Sequence, residues 1–215
     1  MSSAARDLAE TLAMFVAALL LGASVISLAA ALGLNPQYYG AASQAFLLAY
    51  TLILIRALKS RSRDYGFTLT RERVIEAFLV SLVTSTPLTY AATFLAEGEE
   101  TPVELPENPL LMLTLTLLVA PICEEAFFRG LLEGHLLLRG RRRLAVALPA
   151  ALFSLTHAVP FSQASPQLLL LVLLAALVLG LIAGYYRAKT DSLTPSIIAH
   201  ATFNLTGYLA ALLTA

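Results

Sequence analysis

The stretch 109–138, PLLMLTLTLLVAPICEEAFFRGLLEGHLLL, decides the fold. It runs for about 30 residues, where a helix needs about 20 predominantly apolar ones to cross a bilayer core. Its first half is uninterrupted by charge. Its second half carries Glu124, Glu125, Arg129, Glu133 and His135. Ionisable groups inside a span are costly and mark functional positions. Spacing sorts them. Glu125 and Arg129 stand four apart with the acid first, the favourable orientation for a helical ion pair, so that pair neutralises itself. Glu124 is left without a partner on its own helix. Glu133 and His135 lie near the end of the span and read as interfacial.

The rest of the chain has the same character. Of 215 residues 58% are hydrophobic and only 13% charged, and mean hydropathy is +0.78. Soluble domains are about half apolar and a quarter charged. The composition therefore excludes an ordinary soluble enzyme and a disordered chain. Basic and acidic residues number 14 each, without the basic surplus of a nucleic-acid binder. The single cysteine, Cys123, permits no intrachain disulfide and reads as a packing residue. Seven spans are expected, at 9–33, 42–58, 75–96, 109–138, 143–159, 166–187 and 193–213, with an eighth left open. The fold class is an all-α polytopic bundle.

The loops between these spans alternate in charge. Segment 59–73 holds Lys59, Arg61, Arg63, Arg71 and Arg73, turn 139–143 holds four arginines, and turn 187–192 holds Arg187 and Lys189. Loops 34–41 and 160–165 are uncharged, and loop 97–108 has glutamates and no base. With Arg6 and Arg56, every basic residue except Arg129 falls on one side. By the positive-inside rule the N-terminus is cytoplasmic and the C-terminus outside, with the plasma membrane as the expected location. The first span is too long and its flank too mixed (Arg6, Asp7, Glu10) for a cleaved signal peptide. Thr70 is the expected N-cap of the third span, and Gly180 and Gly184 permit close helix contact.

The three histidines fall on three spans. His157 is four residues after Phe153, and Asn204 four after His200, so each pair shares a helix face. Counting 1.5 Å per residue from the outer end of span four places Glu124 about 21 Å deep, or about 9 Å from the inner end of a 30 Å core. His157, about 21 Å from the inner end of its own span, then sits too far out to meet Glu124 without a tilt, a kink at Pro149 or a late helix start.

Three motifs stand in order: Glu124-Glu125-x-x-x-Arg129, Phe153-x-x-x-His157 and His200-x-x-x-Asn204. Together they resemble the CAAX prenyl protease and bacteriocin-processing family of intramembrane endopeptidases, also called the Abi family, over roughly 109–210. The resemblance implies a catalytic core at 109–215 of four spans enclosing a polar cavity, behind a variable region at 1–108 of three spans, in one integrated membrane domain. It implies Glu124 as the general base that activates a water, His157 sharing that water, and His200 and Asn204 lining the same cavity and stabilising the oxyanion. Glu125, Arg129 and Phe153 take supporting roles. The implied substrate is a membrane-embedded or lipidated peptide or protein, with a prenylated CAAX end as one candidate. No cofactor is assigned. Glu124, Glu125, His157 and His200 are available zinc ligands, but H-E-x-x-H is absent, so zinc-dependent and metal-free water attack both stay open. The alternative is a non-catalytic scaffold or immunity-type partner retaining the fold. A transporter is disfavoured by the lack of an inverted repeat.

Overall fold

The structure is a computed structural model that describes residues 3–58, 62–96 and 106–214. Among these residues all regular structure is helical: α1 (Ser3–Ala31), α2 (Tyr39–Ala57), α3 (Val74–Leu95), α4 (Pro109–Leu137), α5 (Arg142–Thr156), α6 (Pro166–Thr190) and α7 (Thr194–Thr214). Helix ends follow local chemistry. The Asn108 carboxamide accepts from the N–H groups of Leu110 and Leu111 ahead of Pro109, and Ser165 caps α6 ahead of Pro166. Thr70 does not cap α3, contrary to expectation. Its hydroxyl accepts from Glu72 N–H, and its own N–H points to Thr194 Oγ1, because the segment is docked on the turn before α7. The helix begins instead after Arg73, in the left-handed region at φ 54°.

Six of the seven helices are long and apolar enough to cross a membrane. The exception is α5. It has 15 residues, about 22 Å at 1.5 Å per residue, short of a 30 Å core. It stops at His157, and turns over 157–165 complete the distance to α6. No eighth helix of spanning length occurs among the described residues. The outer surface is apolar, with Leu20, Val83, Phe94, Leu110 and Leu170 exposed, as lipid requires. The polar side chains turn inward.

Within the bundle α3 packs on α7, and α5 lies along α6. The α5–α6 contact is set by glycine. A Cβ on Gly180 would lie 2.8 Å from Ala150 Cα, and one on Gly184 would lie 3.2 Å from a Val146 methyl. The pair therefore acts as the close-contact surface its spacing suggests.

Ion pairs and hydrogen bonds collect the basic segments at one end of the bundle. Arg141 reaches Asp7 at 2.9 Å, Arg139 reaches Glu10 at 3.0 Å, Arg142 donates to the Ala188 carbonyl, and Arg187 donates to the Asp64 carbonyl. His135 belongs here too. It accepts from Arg139 on Nδ1, and its Nε2 contacts Glu10 at 3.2 Å. His135 is 2% exposed and Glu133 fully buried, so both are covered by protein at this end of the bundle. Glu133 lies against Gly184 of α6 and His135 against Glu10 of α1. The loop leading to α3 packs on the glycines of α4: a Cβ on Gly134 would lie 2.8 Å from the Tyr65 ring, and one on Gly130 would lie 3.2 Å from the Phe67 ring. Gly66, at φ +83°, lets the backbone pass the Arg187 guanidinium. Lys59, Arg61 and most of the acidic loop, 97–105, lie outside the described residues.

Candidate active site

The site is built on an irregular α4. Two stretches of this helix, Leu115–Val119 and Ala126–Glu133, have π-helical turns, and a regular segment, Ala120–Glu125, lies between them. Widened turns of this kind occur often at functional sites. Pro121 supplies a cause for the first. It has no N–H to offer Leu117 in α register or Thr116 in π register. Ala120 N–H already bonds one residue further back, to Leu115 O. The Thr116 carbonyl is left without a helical donor, and Asn204 of α7 supplies one, Nδ2 to O 2.8 Å.

The regular segment ends on two glutamates that point to different neighbourhoods. Glu125 is fully buried, and its Oε1 accepts from Arg129 at 3.2 Å and from His200 Nδ1 at 2.8 Å. The row continues inward along the helix. Arg129 lies over the Phe153 ring at 4.9 Å, and Glu133, buried one turn on, has Arg129 and Arg187 as its charged neighbours. Glu124 is 21% exposed. One of its oxygens accepts from Gln44 Nε2 at 2.6 Å, and the other lies 3.8 Å from His200 Nε2. Phe153 is the hub between the histidines. Its ring meets His157 edge-on at 5.0 Å and His200 at 5.5 Å. His157 ends α5, and its Nδ1 donates to the Phe153 carbonyl at 3.0 Å. That bond fixes the tautomer and leaves Nε2 as a free lone pair.

Glu124 and His157 both line a cavity of about 900 Å³. The remaining wall differs from expectation. Four C-terminal helices do not enclose it: Phe15 to Ile26 of α1 and Ser43 to Leu47 of α2 form the opposite side. The cavity is largely apolar, with Ser43, Gln44, Glu124, Thr156 and His157 as its polar members. His200 and Asn204 do not line it. They stand behind Glu124, one against both glutamates and one on the Thr116 carbonyl.

The depth conflict also disappears. It arose from counting down α4 from its outer end, and α4 is longer than a bilayer core. Counted from the other end, Glu124 and His157 are each about 20 Å in. His200 follows suit, because Leu193 packs at the level of Gly130. Six residues, about 9 Å, separate Gly130 from Glu124 and a similar number separate the start of α7 from His200.

Gln44 was not singled out by the sequence reading. The available signal was a carboxamide in an otherwise apolar span. The zinc set fits poorly. Among the described residues no three His, Cys, Asp or Glu side chains come together in a metal-sized group. His200 Nδ1 is already held by Glu125.

In this all-α membrane bundle one glutamate and one histidine, Glu124 and His157, line a single internal cavity. Residues 106–206 match the family model described as type II CAAX prenyl endopeptidase Rce1-like. Over this segment, a little under half of the chain, the protein is similar to that CAAX endopeptidase family. No curated protein and no solved structure matches.

Proposed function

We propose that the protein is an intramembrane endopeptidase that hydrolyses a peptide bond of a membrane-anchored substrate, using a water activated by Glu124 and His157. The observation that carries this reading is the shared cavity wall: a partly exposed carboxylate and an imidazole with a free Nε2 face one largely apolar space. About 900 Å³ is at the upper end of small-molecule sites and suits a peptide segment with an apolar attachment, such as a prenylated CAAX end. The water oxygen attacks the scissile carbonyl, its proton passes to Glu124, and Glu124 returns that proton to the departing amine. His157 Nε2 accepts a hydrogen bond from the water's other O–H, which stays on the attacking oxygen, and fixes its orientation. His200, 3.8 Å from Glu124, and Asn204, on the Thr116 carbonyl, back the base from behind the cavity wall. Glu125 and Arg129 hold His200 and the helix. The basic end of the bundle, with the N-terminus, is assigned to the cytoplasm, and the membrane to the plasma membrane. From the variable region 1–108, α1 and α2 supply the substrate-side wall, and 109–215 is the catalytic core of the same domain.

The test is cleavage of a farnesylated C-terminal peptide by the purified chain in detergent. Glu124→Ala and His157→Ala are each expected to lower kcat at least about 100-fold with an unchanged melting temperature. Zinc dependence is read in a chelator arm. A wild type inactive on prenylated and unprenylated membrane peptides alike would leave the scaffold reading instead.

A further inference from the structure

Gln44 lies on α2, in the half of the chain without a recognised motif, yet it makes the shortest polar contact to Glu124, 2.6 Å. A carboxylate only accepts, so the carboxamide must present its N–H. Its Oε1 is then buried with no hydrogen-bond partner among the described residues. A buried unmet acceptor is destabilising, a cost that a methionine of similar size would not carry. Packing alone therefore does not account for the glutamine. It also lines the cavity beside Glu124.

We infer that Gln44 is a positioning residue for the reaction proposed above, on which this inference rests. Its N–H pins one Glu124 oxygen, which leaves the other free to take the proton from water. Without the pin the carboxylate rotates about its last bond, and the catalytic oxygen is no longer held toward the cavity. The tether runs from the N-terminal helices into the catalytic half, so α2 helps to set the geometry of the base.

The experiment compares wild type with Gln44→Met, which keeps the length and removes the donor, Gln44→Glu, which replaces the donor with a like charge, and Gln44→Lys, which restores a donor. Each is assayed as full-length protein for kcat, KM and melting temperature on the peptide that wild type cleaves. Expected are a fall in kcat of about 10-fold for Gln44→Met, a larger fall for Gln44→Glu, partial recovery for Gln44→Lys, and KM within about two-fold throughout. If Gln44→Met also lowers the melting temperature, recovery of kcat by Gln44→Lys still supports the role, and its failure to recover overturns it. Wild-type kcat in Gln44→Met, or a change in KM alone, overturns it as well. Those results leave the peptidase standing if Glu124→Ala is inactive. An inactive wild type overturns the peptidase and this role together.

Discussion

Glu124 and Glu125 are neighbours in sequence and about 100° apart around α4, and they lead separate lives. The Glu125 side continues through Arg129 to Glu133, all without exposure, on a face where charge answers charge. The Glu124 side opens on a cavity and borrows its donor from another helix. The contrast teaches that buried charge and reactive charge are distinct uses of the same residue type. One is held among fixed charged neighbours inside the bundle. The other is left with an oxygen to use.

Three changes sharpen or break this contrast, in decreasing order of effect. Arg129→Leu strands two buried carboxylates. A loss of about 3–5 kcal/mol is expected, as when one member of a buried pair is removed, read as a large drop in melting temperature in detergent. Adding Glu133→Gln should recover part of it, and full stability in the single variant would contradict the structural role of this face. Gly180→Ala places a methyl 2.8 Å from the Ala150 backbone. Overpacking of this kind costs about 1–3 kcal/mol. Because α5 carries His157, kcat should fall along with stability, and a stable variant with lowered kcat would separate the two effects. Arg141→Ala removes a pair that is one-third exposed on the arginine side. A change of about 1 kcal/mol or less is expected, with cleavage unaffected.

Much of this was legible in the chain. Hydropathy placed all seven helices, because lipid demands long apolar runs, and the i,i+4 spacings of Glu125–Arg129 and Phe153–His157 located contacts that the structure contains. The shortness of α5 was not legible, because the apolar run 143–159 continues past the last helical residue, Thr156. The burial of Glu133 and His135 was hidden as well. It depends on Gly184 of α6 beside Glu133 and on Glu10 of α1 beside His135, both distant in sequence. The same holds for the cavity wall from α1 and α2 and for Gln44. Periodicity reports which face of a helix is apolar, and is silent about which other helix will face it.

The widened turn at Leu115–Val119 has a consequence for how the gene can change length. Such a turn is the place where a helix absorbs one residue more than its regular winding needs. Losing a codon there would restore regular winding and forfeit the bond from Asn204 to Thr116, yet leave the two glutamates aimed as before. Losing a codon between Ala120 and Cys123 has no such slack to draw on. It would turn the following helix by about 100°, bringing Glu125 into the place of the reactive glutamate and Ala126 into the buried one.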